Sequence, residues 1–581
     1  MTAPEIAALA APVVATDGDR AFASLVGAHF EGLMARNPGL GTYLGVHAYD
    51  HLLPDLSREA QLAGMEADAR HETALLAIDP ATLSPATAFE RDVALLWVRR
   101  ARFDADVHRT WERRARAADE IADALFLLFT RPFAPLPERL EAITERLVAG
   151  PAALRSVRDR LGSEPVRLWL ELELDNLQRL PSFLATIVAA GPSAWGQDDP
   201  RQRRLASAAA GLEAALADYS TWLRGRLSGA VDTFALGRAD LETLIRLRAL
   251  DGFDGDAILA LGLAQLEEQH ANRAAAAGEM AGSPSEAEAV ERVKSHHPAT
   301  FDEALDGYRD AMHRARDFLV ARGLVSVPPE ETLDVVPTPE YLRAVMPFAA
   351  YFAPGVFDRP RRGIYVVTPS VDGDPRAMRE HNWASISNTS IHEAYPGHHQ
   401  QLTAALERPT LSRLIIDAPE FVEGWGMYSE LMMREHGFDD TPEHRVALAT
   451  DAIWRACRIV LDIRLHRGEI GVAEATDFLV EHTGFERPNA AAEVNRYTST
   501  PTYQLSYLLG RQLILRLRGD EQARLGDAFS LRRFHDALLW SGSLPVSFHR
   551  RLLAGEGGGP FLPPADGASV AAARAGDTAA V

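Results

Sequence analysis

"DGDAILALGLAQLEEQHANRAAAAGEMAG", residues 254–282, has the periodicity of a long amphipathic helix that closes at a glycine. Its apolar residues recur three and four positions apart. The same pattern returns elsewhere in the first 325 residues, including residues 86–113, 123–150, 165–191 and 204–227. Short runs of Pro, Gly and Asp separate these segments. No sequence repeat of fixed period is visible, so the pattern predicts one large helical body and not a repeat solenoid.

The composition changes near residue 326. The residues that follow are rich in proline and β-branched side chains, and "RGIYVVTPS" (362–370) is the best strand candidate in the chain. A helical period then returns. The sequence therefore predicts a mainly α fold with a small β element, divided into four parts: a flexible leader at 1–18, a helical N-terminal region at 19–325, a C-terminal region at 326–554 and a disordered tail at 555–581.

The 581-residue chain is acidic, with a formal net charge of −21. This charge argues against nucleic acid as a partner, because phosphate contacts need a basic surface. The single cysteine, Cys457, excludes an internal disulfide and a cysteine-based zinc site. No apolar run approaches the roughly 20 residues that span a bilayer, and the N-terminus lacks the basic start of a signal peptide. We therefore expect a cytoplasmic protein with no membrane partner; the sequence does not indicate an oligomeric state.

A His-Glu pair opens "IHEAYPGHH" (391–399), but the second histidine of the common HExxH zinc motif is absent. Pro396 stands four residues after His392, and His398 and His399 follow at positions six and seven. On a straight helix neither could share an ion with His392, because six residues turn the ring to the opposite side and seven lift it roughly 10 Å. Pro396 lacks an N–H and is followed by a flexible glycine, so a helix break could return His398 to His392. The alternative is a histidine cluster without a metal.

A zinc hydrolase of this kind also needs a third protein ligand. "FVEGWGMYSELMMRE" (421–435) offers Glu423, 25 residues after His398, which is a gap long enough for an antiparallel return. Glu430 lies two helical turns later on the same face, where it could hydrogen-bond a ligand. A solvated helix face is the usual place for a glutamate. This face is less open to water because its neighbours are apolar or aromatic: Phe421, Val422, Trp425, Met427 and Tyr428.

"HEAYPGHHQQ" (392–401) followed by "EGWGMYSE" (423–430) resembles the bacterial family known as domain of unknown function 885. That family is grouped with gluzincin-type zinc metallopeptidases of clan MA. The likeness covers roughly residues 25–552 and includes three further segments, at residues 35–57, 458–479 and 493–518. The second motif is also similar to the third-ligand helix of gluzincin aminopeptidases.

The resemblance implies that His392, His398 and Glu423 hold one Zn²⁺ ion and that Glu393 is the general base. In related peptidases a Gly-His pair ends an expanded His-Glu motif, which favours His398 over His399. The resemblance further implies that the helical N-terminal region walls a deep central cleft suited to short peptides. Alternative ligands, or groups that support a ligand, are His399, Glu430, Asp462 and His466.

A tyrosine-rich stretch, "NRYTSTPTYQLSYLLGR" (495–511), supplies candidates for stabilising an oxyanion. Tyr507 and Tyr497 are the preferred donors because the family-like pattern includes them, and Arg496 is a candidate carboxylate clamp. Packing in the core is an equal alternative for each aromatic residue. Asp462 and His466 lie four apart on one helix face, as site groups or as a surface pair. "RGIYVVTPS" could be an edge strand that aligns an extended peptide.

Together these residues predict a zinc metallopeptidase that cleaves short peptides with zinc-activated water and Glu393 as general base. Two histidines and a glutamate suit zinc well. Two alternatives stay open: a zinc enzyme that acts on a non-peptide amide or small molecule in a biosynthetic pathway, and a non-catalytic helical binding protein with a decayed site. The retained Glu393 argues against decay. The expected partner is a peptide or an amide-containing small molecule.

Overall fold

Helices form most of the computed structural model, which describes residues 3–10, 15–338, 343, 349–358, 361–369, 377–416 and 418–564. The helical content of 73% confirms the mainly α fold class. Within these residues the helices before the first strand are α1 (Ala3–Ala10), α2 (Asp17–Arg36), α3 (Pro38–Leu44), α4 (Arg58–Ala77), α5 (Pro85–Phe103), α6 (Thr110–Arg113), α7 (Ala117–Thr130), α8 (Leu136–Arg160), α9 (Arg167–Trp195), α10 (Pro200–Arg226), α11 (Arg238–Leu247), α12 (Gly255–Glu279), α13 (Glu286–Ser295) and α14 (Phe301–Arg322).

In the part of the chain that the structure describes, three short strands form one sheet: β1 (Glu331–Pro337), β2 (Ala349–Phe352) and β3 (Arg361–Val367). β3 lies in the middle, with β1 parallel and β2 antiparallel to it. The predicted strand "RGIYVV" is therefore β3, and it is paired on both sides. The expectation that this segment is an edge strand is wrong, because β2 takes the edge position beside it.

The helices after the sheet are α15 (Trp383–Glu393), α16 (His398–Ala405), α17 (Leu411–Ile415), α18 (Pro419–Glu435), α19 (Pro442–Arg467), α20 (Val472–Thr483), α21 (Arg487–Tyr497), α22 (Ser506–Leu525), α23 (Leu531–Trp540) and α24 (Val546–Leu553). Side-chain caps fix several helix starts. Asn382 accepts a hydrogen bond from the N–H of Ser385 at the start of α15, at 2.9 Å. Asp254 does the same for the N–H of Ala257 at the start of α12, at 2.8 Å. These caps satisfy N–H groups that have no partner inside the helix.

The chain divides into two compact units, residues 1–234, 355–359 and 410–415 in one, and residues 235–354, 360–409 and 416–581 in the other. In the second unit α12 packs along α19, and α18 packs along α22. Both pairs approach closely at glycines. A Cβ on Gly262 would lie 2.7 Å from Cγ2 of Ile459, and a Cβ on Gly510 would lie 1.9 Å from the carbonyl oxygen of Glu420. These close contacts fix how the two helices of each pair pack against each other.

The composition change near residue 326 falls inside the second unit, which joins α11–α14 to the sheet and to the later helices. Of the predicted leader, residues 3–10 form α1. Of the predicted tail, residues 555–564 are described and residues 565–581 lie outside the described part. Among the described residues, no helix has both the length and the apolar character needed to cross a membrane.

Candidate metal centre

The helix break predicted at Pro396 and Gly397 separates two helices in the structure. α15 ends at Glu393, and α16 begins at His398. The turn between them requires glycine, because a Cβ on Gly397 would lie 1.9 Å from the carbonyl oxygen of His392. The turn brings the ring of His398 back to that of His392, with 4.7 Å between the ring centroids and 87° between the ring planes.

Three side chains converge beside this turn: His392, His398 and Glu423. Each offers one ligand atom, and these atoms lie within 4.8 Å of one another. Oε2 of Glu423, in α18, lies 3.7 Å from Nε2 of His392 and 3.4 Å from Nε2 of His398. Two imidazole nitrogens and one carboxylate oxygen form a donor set of catalytic zinc sites. These residues therefore fit a zinc ion, and we call them the ligand cluster.

Glu430 supports the ligand cluster through His392. Its Oε1 lies 2.6 Å from Nδ1 of His392, and its Oε2 accepts a hydrogen bond from Asn388 at 3.0 Å. This contact fixes the ring orientation and leaves Nε2 facing Glu423. Gly426, one turn before Glu430, leaves room for the ring, because a Cβ there would lie 2.6 Å from Cε1 of His392. Glu430 thus occupies the supporting position predicted from the spacing in α18.

Carboxylates make this position favourable for a cation. Burial lowers the pKa of His392, but Glu423 and Glu430 outweigh burial and raise it to about 10. Burial raises the pKa of Glu423, but hydrogen bonds with His392 and His398 hold it well below its usual range. The charges that stabilise an imidazolium here would also stabilise a divalent cation.

His399 contacts the sheet and not the ligand cluster. Its Nε2 lies 2.5 Å from Oε2 of Glu331 in β1, and its Nδ1 lies 3.0 Å from the hydroxyl of Tyr351 in β2. Gly363 of β3 leaves space for this ring, since a Cβ there would lie 2.6 Å from Nδ1 of His399. The structure therefore pairs His398 with His392 and uses His399 to attach α16 to the sheet.

A cavity of about 480 Å³ is lined by the three residues of the ligand cluster and by Glu393. Glu393 is half-buried, and among the described residues it has no hydrogen bond or ion pair. The edge strand β2 also reaches the cavity, through Ala349, Ala350 and Tyr351. The carboxylate of Glu393 is thus in position to accept a proton from a molecule in the cavity.

The two tyrosines predicted as oxyanion donors lie in different places. Tyr507 lines the cavity, and burial together with the carboxylate of Glu423 raises the pKa of its hydroxyl above the ordinary value. Tyr497 is fully buried outside the cavity lining, where its hydroxyl accepts a hydrogen bond from Nε of Arg458 at 3.1 Å. Arg496 is exposed and does not line the cavity. The geometry places Tyr507 on the cavity wall and both Tyr497 and Arg496 outside the cavity lining.

The turn before α22 carries Tyr503, whose hydroxyl donates to Oε1 of Glu423 at 3.1 Å. Asp462 of α19 holds this turn by accepting hydrogen bonds from three of its backbone N–H groups, at 2.9, 3.1 and 3.2 Å. Burial raises the pKa of Asp462 to about 7. Nε2 of His466 lies 3.0 Å from the carbonyl oxygen of Tyr497. The predicted pair, Asp462 and His466, therefore supports the tyrosine-bearing turn and lies outside the cavity lining.

Two arginines of the cavity were not predicted from the sequence. Arg455 and Arg458 of α19 line the cavity beside Trp454 and Tyr507, and we call these four side chains the arginine wall. Cζ of Arg458 lies 4.1 Å from the centroid of the Trp454 ring and 4.7 Å from that of Tyr507. The available signal was the helical spacing of Trp454, Arg455 and Arg458 within the run "AIWRACRIVL", since buried cations need a specific role or partner.

Two solved structures share this fold. A candidate lipoprotein of unknown function from Shewanella oneidensis is 21% identical, with a TM-score of 0.75 over 92% of this chain and 99% of that chain. A candidate lipoprotein from Colwellia psychrerythraea is 18% identical, with a TM-score of 0.78 over 93% of this chain and 98% of that chain. At these identities the likeness establishes the fold alone.

No protein of curated function matches the chain significantly. The sequence profile of the family described as "Bacterial protein of unknown function (DUF885)" matches residues 38–553. That span contains the ligand cluster, Glu393 and the arginine wall. The chain therefore belongs to the DUF885 family.

Proposed function

We propose that this protein is a zinc-dependent hydrolase, and specifically a metallopeptidase that cleaves short peptides. One observation carries the proposal: the ligand atoms of His392, His398 and Glu423 lie within 4.8 Å of one another on the wall of a cavity. Glu430 orients His392 from behind, which is the kind of support that metal-ligating histidines have in known sites. A surface cluster of histidines would need neither this support nor this burial.

A gluzincin-like relationship is part of the same proposal. It is supported by the order of the groups along the chain, because a His-Glu pair ends α15, a second histidine begins α16, and a glutamate follows on the separate helix α18. Zinc is the proposed metal because the donor set combines two imidazoles with one carboxylate and no thiolate.

The ligand cluster, Glu393 and two tyrosines then have roles in amide hydrolysis. When bound, zinc would polarise the scissile carbonyl and lower the pKa of a water molecule at the site. Glu393 takes a proton from the attacking water and delivers it to the leaving amine, as the C–N bond breaks and the water oxygen joins the carbonyl carbon. Tyr507 donates a hydrogen bond to the oxyanion. Tyr503 holds the far oxygen of Glu423 in place.

The size of the cavity supports a short substrate. A volume of about 480 Å³ is within the range of small-molecule sites. The edge strand β2 borders the cavity with Ala349 and Ala350, so an extended peptide could add its backbone hydrogen bonds there.

The test combines metal analysis with digestion of a peptide library by the purified full chain. We expect about one zinc per chain in the unmodified protein and in Glu393→Gln. Cleavage should be detected by mass spectrometry for the unmodified protein and be lost in the variant. Zinc-loaded protein that cleaves no peptide would overturn the peptidase proposal, and a parallel panel of non-peptide amides would show whether another amide is the substrate.

The cellular location is a separate proposal. We propose a cytoplasmic location on the grounds of the sequence, although the Shewanella and Colwellia proteins are described as candidate lipoproteins. Fractionation of cells that express the protein separates cytoplasmic protein from protein bound to a membrane. Recovery of the protein with the membrane fraction would overturn the cytoplasmic proposal.

A further inference from the structure

The arginine wall contains cationic N–H groups that no residue of the described chain uses. Arg458 is 3% exposed, donates from Nε to the hydroxyl of Tyr497 at 3.1 Å and from Nη2 to Glu493 at 3.0 Å. Its remaining nitrogen, Nη1, has no hydrogen-bond partner among the described residues. A buried guanidinium with donors left over on a cavity wall is costly unless a ligand uses them.

The geometry of Arg458 directs those donors. The rings of Trp454 and Tyr507 stack near its guanidinium, with Cζ 4.1 Å and 4.7 Å from their centroids. Ring contacts with a guanidinium use none of its N–H donors, so Nη1 stays available to a ligand. Tyr497 and Glu493 hold the other donors, which fixes the side chain in one orientation. This is the arrangement of a pre-organised anion-binding group.

Arg455 adds a second cation one turn away. Its side chain is 16% exposed, and its Nη1 lies 3.2 Å from Oδ1 of Asp451. Its Nε is buried without a hydrogen-bond partner among the described residues, and its Cζ lies 4.3 Å from the centroid of the Trp454 ring. The two arginines therefore share Trp454 and face the same cavity as the ligand cluster.

We propose that Arg458 and Arg455 form a subsite for a substrate carboxylate, and that this carboxylate is the free C-terminus of the peptide. The inference rests on the proposed function and specifies its substrate class: the protein is a C-terminal exopeptidase. Tyr507 lies between the arginine wall and the ligand cluster. Its ring contacts the guanidinium of Arg458 on one side, and its centroid lies 6.2 Å from that of the Tyr503 ring on the other. The hydroxyl of Tyr503 donates a hydrogen bond to Glu423. A C-terminus held at Arg458 would thus place a nearby amide at the ligand cluster.

The reaction needs only water as co-reactant. The peptide C–N bond breaks, the water oxygen joins the carbonyl carbon, and the new amine leaves with the C-terminal fragment, whose carboxylate remains on the arginines. An aspartate or glutamate side chain presents the same carboxylate chemistry as a C-terminus. The experiment must therefore separate the two sources.

The test uses zinc-loaded full-length protein and three N-acetylated peptides of one apolar sequence. The first has a free C-terminus, the second a C-terminal amide, and the third a C-terminal amide with one internal glutamate. We expect cleavage near the C-terminus of the first peptide, and kcat/KM at least about 30-fold lower for the second and third, because an unpaired buried charge is left behind. Equal cleavage of the first two peptides would overturn the subsite, and preferential cleavage of the third over the first would assign the arginines to an acidic side chain and overturn the exopeptidase assignment.

Substitution of each arginine tests whether that side chain binds the C-terminal carboxylate. Arg455→Gln and Arg458→Gln should each raise KM for the free peptide by about 30-fold or more with little change for the amide. Arg464→Gln, on the same helix but outside the cavity lining, is the matched control and should change neither. Arg458 is deeply buried, so circular dichroism must show that its variant is folded; the more accessible Arg455 variant tests the same subsite if it is not. Arginine variants that are folded and leave KM for the free peptide unchanged would overturn the proposal.

A binding measurement separates this inference from the proposed function. Titration calorimetry with Glu393→Gln should show tighter binding of the free peptide than of its amide, with no dependence on turnover. Zinc-loaded protein that cleaves no peptide overturns the proposed function and the exopeptidase assignment with it. Cleavage and binding that ignore the C-terminus overturn the inference and leave the proposed function standing.

Discussion

The ligand cluster and the arginine wall line one cavity but are built by different means. The ligand cluster depends on local geometry, since the turn at Gly397 returns His398 to His392 and Gly426 leaves room for the ring of His392. The arginine wall depends on charges from separate helices, such as the pairing of Arg458 with Glu493. The ligand cluster is therefore positioned mainly by steric fit, and the arginine wall mainly by charge pairing.

This difference predicts different responses to mutation. The steric fit fails when one atom is added. A Cβ on Gly397 would lie 1.9 Å from the carbonyl oxygen of His392, and the backbone cannot move away from this contact. The charge pairing degrades in steps, because each arginine keeps part of its network when one partner is lost. The following experiments test this contrast.

The largest expected effect separates two adjacent histidines. His398→Ala should reduce bound zinc from about one per chain to none, because it removes a ligand. His399→Ala should keep the zinc and lower the free energy of unfolding by about 1–3 kcal/mol, because the buried carboxylate of Glu331 loses one hydrogen-bond partner and keeps Tyr395 and Arg316. Metal analysis and chemical denaturation measure the two outcomes. Loss of zinc in His399→Ala alone would reverse the assignment.

The next effect separates two tyrosines. Tyr507→Phe should lower kcat by about 10²–10³-fold, as expected for loss of an oxyanion donor. Tyr497→Phe should leave kcat within about threefold and raise KM, because its hydroxyl lies outside the cavity lining and hydrogen-bonds Arg458 and Glu493, which position the subsite. Each variant controls for the other, since both delete one hydroxyl. A larger fall in kcat for Tyr497→Phe would restore the role that the sequence suggested for it.

The contrast also explains what the sequence revealed. The mainly α class, the helix break at Gly397 and the position of Glu430 two turns after Glu423 follow from spacing within short segments, which a single sequence shows directly.

Arg455 and Arg458 were both missed. Arg455 takes its contacts from Asp451 and Trp454 on its own helix, whereas most contacts of Arg458 come from distant residues. Glu493, which holds Arg458, lies on α21, and Tyr507, which stacks on it, lies on α22.

Two further differences between expectation and structure have the same physical origin. The segment "RGIYVV" has the composition of a strand, but composition does not say whether a neighbour pairs on one side or both. β2 supplies the second neighbour from a separate part of the chain. Tyr497 likewise has the chemistry of an oxyanion donor, and only the packing of α19 against its hydroxyl shows that the group is already used.

A smaller effect is expected where one methyl group is added beneath the ligand cluster. Gly426→Ala should weaken zinc binding by about 10–100-fold, because its Cβ would displace the ring of His392 from Glu430. Gly519→Ala, in a helix with nothing within 4 Å of the added atom, is the matched control. It should bind zinc normally and be stabilised by up to about 1 kcal/mol. Competition with a zinc chelator measures both affinities, and equal values would contradict the steric account.

The smallest effect concerns acid stability behind the ligand cluster. His535 packs against Trp425 of α18, donates from Nδ1 to the carbonyl of Leu324 and accepts from the hydroxyl of Tyr428 at 2.7 Å. Burial lowers its pKa to about 3. The unfolded chain, with a histidine pKa near 6.5, therefore takes up a proton that the folded chain refuses as the pH falls from about 6.5 towards 3.

In that window, His535 should lower the free energy of unfolding by up to about 1.4 kcal/mol for each unit by which the pH falls. Above pH 6.5 this loss should be absent. In His535→Gln the amide can keep both hydrogen bonds without titrating, so the loss of stability between pH 6.5 and 5 should shrink by about 2 kcal/mol. The exposed His313→Gln is the control and should leave the pH dependence unchanged. Urea denaturation at several pH values measures the slopes. An unaltered slope in His535→Gln would show that acid acts on this part of the second unit through other groups.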